Sequence, residues 1–164
     1  MSVPSAAVVT VSDRCSRGEA EDRSGPLLVQ LLAEAGLHDV VTLVVPDGAG
    51  SVRDALTTVL GQGARLVLTT GGTGLAPRDL TPEGTREVLE LEVPGLAEAI
   101  RRYGADHGVP TAVLSRGLAG VASGSGGRAL VVNLPGSTGG VRDGAAVLLP
   151  LWPHLRSQLD GGDH

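Results

Sequence analysis

The sequence predicts an α/β domain of three layers: a doubly wound, mostly parallel sheet with helices on both faces and a small β-hairpin. Short apolar runs without polar alternation recur along the chain, the pattern of strands buried on both sides. Segments with apolar residues at helical spacing separate them, and that alternation is the mark of helices crossing over a parallel sheet. Glycine supplies the third observation: 25 of 164 residues, about twice the usual ~7%, gather between the periodic segments and mark where elements end.

Ala6 to Val11 is the first buried-strand run. Pro26 to Ala35 then carries Leu27, Leu28, Leu31 and Leu32 on one side of a helix, with Pro26 suited to the first helical position and Gly36 to the residue past its end. Val40 to Val45 is the second strand. Ser51 follows as an N-cap for a helix whose Val52, Ala55, Leu56, Val59 and Leu60 share a face, with Gly61 beyond. Ala64 to Thr69 is the third strand, and after a glycine loop Thr81-Pro82-Glu83 opens a helix to about Leu89, Thr81 capping and Glu83 favoured by the helix dipole. A further helix from Pro94 carries Leu96, Ala97 and Ile100 and stops near Gly104. Thr111 to Leu114 reads as a short strand, and Leu118 to Ala122 with Arg128 to Leu134 as a hairpin around Ser123-Gly124-Ser125-Gly126-Gly127. Val141 to Leu149 and Trp152 to Leu159 close the chain as helices.

This length fits a single domain, set at residues 6–159 with tails at 1–5 and 160–164. Folding can bury roughly two-thirds of its surface, enough to need no covalent staples. Apolar runs such as Ala145 to Leu151 fall far short of the ~20 residues that span a bilayer, so no membrane partner is expected. The net charge of −5 sets up no positive field for nucleic acid, and with 1% aromatic residues there is no stacking platform for bases. All 13 basic residues are arginine, and without lysine neither a Walker-A phosphate grip nor a Schiff base can form. Cys15 is the only cysteine, which excludes an internal disulfide and a multi-cysteine zinc site and fits a reducing compartment. It has no His and Asp or Asn neighbours to make it a nucleophile. The N-terminus lacks the pattern of a secretory signal, so a cytoplasmic location is expected. His38, His107, His154 and His164 show no paired spacing and read as surface residues, not as a metal site.

In a doubly wound fold, ligands sit beyond the carboxyl ends of the strands, here the loops after Val11, Val45, Thr69 and Leu134. The first holds Ser12 and Asp13 and leads to Ser24-Gly25-Pro26, whose free amides suit either an anion or a plain helix start. The third, Thr69-Thr70-Gly71-Gly72-Thr73-Gly74, lets backbone amides converge on phosphate oxygens, and Arg78 and Asp79 add a cation and a metal-capable carboxylate to the same loop. Asp47 alone reads as a turn residue. Beside Asp79 it would make a pair of carboxylates suited to magnesium, which takes few carboxylates together with waters and substrate phosphates. Asn133 and Ser137 can hydrogen-bond a heterocycle or phosphate, although Pro135 to Gly140 serves equally as a connection to the last helices.

Taken in order, Thr10-Val11-Ser12-Asp13, Asp22-x-Ser24-Gly25-Pro26, Val45-Pro46-Asp47, Thr70-Gly71-Gly72-Thr73-Gly74, Pro77-Arg78-Asp79-Leu80-Thr81-Pro82-Glu83, Pro94-Gly95, Leu114-Ser115-Arg116 and Asn133-Leu134-Pro135-Gly136 resemble the MoaB/Mog family of molybdenum-cofactor biosynthesis. The resemblance runs unbroken from about Ala6 to Leu149, and Gly48 departs from it, since an acidic residue often stands there in relatives. It implies an α/β domain, usually a homotrimer, that binds molybdopterin and in the Mog branch adenylylates it from ATP with magnesium. Asp47 and Asp79 match the family's catalytic aspartates and would hold Mg2+. The Gly71, Gly72, Thr73 and Gly74 loop with Arg78 would take the phosphates. Ser12, Asp13, Asn133, Gly136 and Ser137 would hold the pterin side, with Ser115 and Pro135 as further substrate-binding positions. A molybdenum-insertion protein would be a downstream partner. The rivals are a non-catalytic molybdopterin-binding or assembly protein, disfavoured by retention of both aspartates, and an unrelated nucleotidyl-transfer enzyme, disfavoured by motif order and spacing.

Overall fold

The computed structural model describes residues 2–163; Met1 and His164, and with it the surface reading of that histidine, lie outside them. Strands β1 (Ala6–Val11), β2 (Val40–Val45) and β3 (Leu66–Thr70) join β6 (Gly127–Leu134) as the parallel part of one sheet. β5 (Ala119–Gly124) returns antiparallel against β6, and the two-residue β4 (Leu91–Glu92) lies antiparallel against β5. The order is β2-β1-β3-β6-β5-β4, so the expected mixed, mostly parallel sheet with one hairpin is what forms.

Strand alternation divides the core into two layers. Ala6 and Val8 of β1 face one side with Leu66, Leu68, Leu130 and Val132, and are covered by α2 (Ser24–Glu34), α5 (Pro94–Asp106), α6 (Thr138–Leu148) and α7 (Trp152–Leu159). Ala7, Val9 and Val11 face the other side and pack on Val52, Leu56 and Val59 of α3 (Ala49–Gly61), beside the short α4 (Thr81–Arg86). Fully burying each leucine or valine contributes about 1.5–3 kcal/mol; β1, β3 and most of β6 are buried on both faces, while the edge strand β2 stays half-exposed. A four-residue α1 (Asp13–Ser16) follows β1 directly.

Several local expectations are corrected. Thr111–Leu114 is no strand: Pro110 starts a 3-10 turn over Pro110–Leu114, with Ala112 donating to Val109 and Ser115 to Ala112, because proline's fixed φ favours a helical first turn. Val113 and Leu114 are left exposed. The hairpin loop is tighter than expected, only Ser125-Gly126 lying between the paired Gly124 and Gly127. β4 was not foreseen, since two residues show no period.

The caps also move. α2 starts at Ser24, two residues before Pro26, because Asp22 reaches in from outside the helix and accepts from the Gly25 amide at 2.9 Å. α3 starts at Ala49, and the expected cap Ser51 donates instead to the Pro46 and Gly48 carbonyls. Thr81 is the first residue of α4, and its hydroxyl is turned to Gly71. α6 begins at Thr138, capped by Ser137, whose hydroxyl accepts from Gly140. Both ends of the domain are tied down: Ser5 donates to the Asp39 carbonyl, and Asp160 accepts from Arg65 and Arg156. Those two guanidiniums hold the Asp160 carboxyl below its ordinary value.

Candidate functional site

Register brings the loops together. Val11 lies opposite Val45, Thr10 opposite Thr70, and Thr70 opposite Leu134, so the four parallel strands end side by side and their loops leave from one edge of the sheet. Hydrogen bonds continue past the strands: Ser12 donates its amide to Val45, Gly71 its amide to Leu134, and Thr70 its hydroxyl to Pro135.

The glycine loop turns sharply there. Gly71 and Gly72 have φ of +104° and +69°, a region where only glycine rests without strain. A Cβ on Gly71 would stand 2.2 Å from the Val11 carbonyl oxygen, and one on Gly72 would stand 2.2 Å from the Thr81 hydroxyl. Thr81 ties the loop to α4, its hydroxyl donating to Gly71 and its amide to Gly72. The expected phosphate cradle is therefore narrower at its start. The Gly71 amide is spent on Leu134, whereas the amides of Gly72, Thr73 and Gly74 have no partner among the described residues.

Both aspartates lean on this loop. Asp47 Oδ1 is 3.4 Å from where a Gly72 Cβ would stand, and Asp79 Oδ2 is 2.8 Å from the corresponding point at Gly74. Asp79 is set by a turn around Pro77: its amide donates to Ala76, and its carboxylate accepts from the Ala76 amide at 3.0 Å. Asp47 exchanges bonds with Asp13, each backbone amide donating to the other's carboxylate. Arg78 forks onto both oxygens of Asp13 and reaches the Asp47 carbonyl, and this hydrogen bonding holds the Asp13 carboxyl below its ordinary value. Arg78 and Asp13, expected as separate ligand contacts, are paired with each other in this structure. No group of three or more His, Cys, Asp or Glu side chains among the described residues could hold a metal. Asp47 and Asp79 each reach this loop with carboxylate lone pairs to spare, donors of the kind a hard ion takes together with phosphate and water.

A cavity of about 560 Å³ opens beside the loop, between Thr73 and Gly74 on one side and Ser115, Pro135 and Ser137 on the other. Its lining includes the apolar Ala97, Ile100 and Ala112 as well as Arg101 and Asp143. Asn133 borders it but does not offer its amide. That side chain is buried, its two hydrogens go to the Thr69 and Thr85 hydroxyls, and its oxygen accepts from the Leu118 amide. Those bonds tie β6 to Thr69 of β3, Thr85 of α4 and Leu118 just before β5, so the Asn133 side chain, expected to contact a ligand, is spent on internal bonds in this structure. Ser12 caps α1, and Gly136 packs on Gly71, where a Cβ would meet the Gly71 Cα at 3.3 Å. His38, His107 and His154 are exposed.

One residue escaped the sequence reading as a participant. Arg116 donates to the Gly74 and Asp79 carbonyls and to both oxygens of Glu83. The only signal for it is its place after Ser115 in a quoted motif, since its partners stand 33 to 42 residues away in sequence.

A family model described as a probable molybdopterin binding domain matches residues 7–154. The chain belongs to that family. The solved molybdopterin biosynthesis Mog protein of Mycobacterium ulcerans superposes with a TM-score of 0.87 at 44% identity, covering 95% of this chain and 99% of that one. The molybdopterin adenylyltransferase of Pyrococcus furiosus is 37% identical over 141 residues, 86% of this chain and 82% of its own. The molybdenum cofactor biosynthesis bifunctional protein of Synechococcus elongatus is 42% identical over 159 residues, which make up 97% of this chain but 48% of that protein. This molybdopterin-binding domain spans half or less of the length of several curated relatives that it matches. Among its described residues no helix is long and apolar enough to cross a membrane. The expectation of MoaB/Mog membership is borne out.

Proposed function

We propose that this domain is a molybdopterin adenylyltransferase, joining ATP and molybdopterin to give adenylyl-molybdopterin and pyrophosphate. The observation that carries the reading is the approach of two carboxylates, Asp47 and Asp79, to a loop whose Gly72, Thr73 and Gly74 amides have no partner among the described residues. The chemistry needs no protein nucleophile. An oxygen of molybdopterin's terminal phosphate attacks the α-phosphorus of ATP, and the bond to pyrophosphate breaks. Magnesium held by Asp47 and Asp79 would neutralise charge on the phosphates. The amides donate to phosphate oxygens, a role suited to preorganised donors in a transfer that depends on positioning and charge. Arg78, held on the Asp13 carboxylate and the Asp47 carbonyl, braces the backbone that carries Asp47. The 560 Å³ cavity, lined by Ser115 and Ser137 together with apolar residues, suits a flat heterocycle with polar edges.

Pyrophosphate release should require both ATP and molybdopterin together with magnesium. Release with ATP alone would point to another acceptor, and tight molybdopterin binding without release would favour the binding-protein reading. We place the reaction in the cytoplasm, with its adenylylated product passing to a molybdenum-insertion protein. We also propose a homotrimer. Light scattering at micromolar concentration should return about three chain masses, and a clean monomer would overturn the assembly.

A further inference from the structure

We propose that Arg116 is a positioning residue for adenylyl transfer, holding the two ends of the segment that presents Asp79; the inference rests on the function proposed above. Residues 75–78 are exposed and leave the glycine loop at Gly74 to return at Asp79. Arg116 binds the carbonyls of those two residues, through Nε at 2.9 Å to Gly74 and through Nη2 at 2.5 Å to Asp79. Its Nη1 grips the Glu83 carboxylate in the first turn of α4, at 2.6 and 3.1 Å. Its own amide donates to Thr73 at 2.8 Å. One planar guanidinium thus fixes two points of the β3–α4 connection and the first turn of α4 at once, which the fork of arginine can do and a point-charge ammonium cannot.

The anchor is itself anchored. Arg101 of α5 donates to the carbonyls of Ser115 and Gly117, on either side of Arg116. Gly117 is buried, and a Cβ there would stand 2.8 Å from the Asn133 carbonyl oxygen, so the backbone at 115–117 is pressed against β6. The chain of support runs from α5 and β6 through Arg116 to Asp79. Among the described residues, the only other side-chain tie of the exposed segment to a distant residue is that of Arg78 to Asp13 and Asp47. The Arg116 and Glu83 side chains are 38% and 35% exposed, and an ion pair that open contributes little to global stability. Its effect is local: it sets where the Asp79 carboxylate stands relative to Gly74.

The test compares Arg116→Ala and Arg116→Lys in the full chain, with magnesium, ATP and molybdopterin. Both should lower kcat by about 10²-fold, the scale of an ångström-sized misplacement, and raise the magnesium needed for half-maximal rate, while KM for molybdopterin and the thermal midpoint stay close to those of the parent. Amide hydrogen exchange at residues 75–79 should quicken in both, with β3 and β6 unchanged. Glu83→Gln, which keeps the shape and weakens the grip, should fall between, and it replaces Arg116→Ala if that variant does not fold. A lysine that restores the full rate would overturn the proposal, as would unchanged exchange at 75–79. If the parent protein itself releases no pyrophosphate, the function fails and Arg116 loses its catalytic meaning, whereas normal turnover in the parent with normal turnover in both variants sinks the positioning role alone.

Discussion

Asp47→Asn and Asp79→Asn should each lose adenylyl transfer by about 10²–10³-fold, or roughly 3–4 kcal/mol of transition-state stabilisation, while the protein stays folded. Asparagine keeps the shape and an acceptor oxygen, so the bond from the Asp13 amide to residue 47 and that from the Ala76 amide to residue 79 can both persist. What disappears is the negative charge beside Gly72 and Gly74. Changes at a partly exposed turn usually cost ~0.5 kcal/mol or less in stability, so the two roles separate by several kcal/mol. Initial rates at saturating magnesium, set against a thermal melt of the same sample, make the comparison. Molybdopterin binding should be kept or tightened, because its phosphate then meets less repulsion. Near-normal turnover in either variant would remove that residue from the metal pair and leave it as a turn former.

Gly71→Ala should be the most destabilising single-methyl change in the loop, and Gly74→Val the most selective loss of turnover. At Gly71 the φ of +104° and a Cβ 2.2 Å from the Val11 carbonyl oxygen act together, and the atom in the way belongs to the backbone of a buried strand that cannot yield alone. Strain of this kind costs on the order of 1–3 kcal/mol before the collision is counted. With a melting shift of about 2–4 °C per kcal/mol for a domain of this size, the midpoint should fall by roughly 10 °C. At Gly74 the neighbour is Asp79 Oδ2 at 2.8 Å, the free end of a side chain that can swing away. Gly74→Val should therefore melt within a few degrees of the parent while losing ATP binding and turnover through a displaced Asp79. A side chain at Gly72 is a poorer probe, because it meets the Thr81 hydroxyl at 2.2 Å and disturbs the bond that ties the loop to α4. Unchanged kinetics in Gly74→Val would move the phosphate site elsewhere.

The layers of this fold were legible in the sequence because burial on two sides leaves a local imprint. Ala6 to Val11 and Leu66 to Thr70 carry short apolar runs and are buried throughout, whereas Val40 to Val45, equally apolar, forms the half-exposed edge strand; the leucines of α2 and the valines of α3 recur at the helical period. The family motifs were legible too, since Asp47, Asp79 and the Gly71–Gly74 loop are contiguous words in the chain. Where local signals competed, the sequence reading erred: Thr111–Leu114 looked like a strand until Pro110 imposed a turn, and Thr81 and Ser51 looked like caps although their hydroxyls are claimed by carbonyls elsewhere. Composition and pattern by themselves determined the fold class and the edge of the sheet where the loops gather, and the family resemblance singled out Asp47 and Asp79. Only the tertiary structure decided that the Asn133 side chain is spent on internal bonds, that Arg78 is paired with Asp13, that the Gly71 amide is already taken, and that Arg116 holds Asp79 in place. Each of those facts is a hydrogen bond between groups 15 to 65 residues apart or a backbone pairing across the sheet, and such bonds depend on the register of β1, β3 and β6, which no local run of residues encodes.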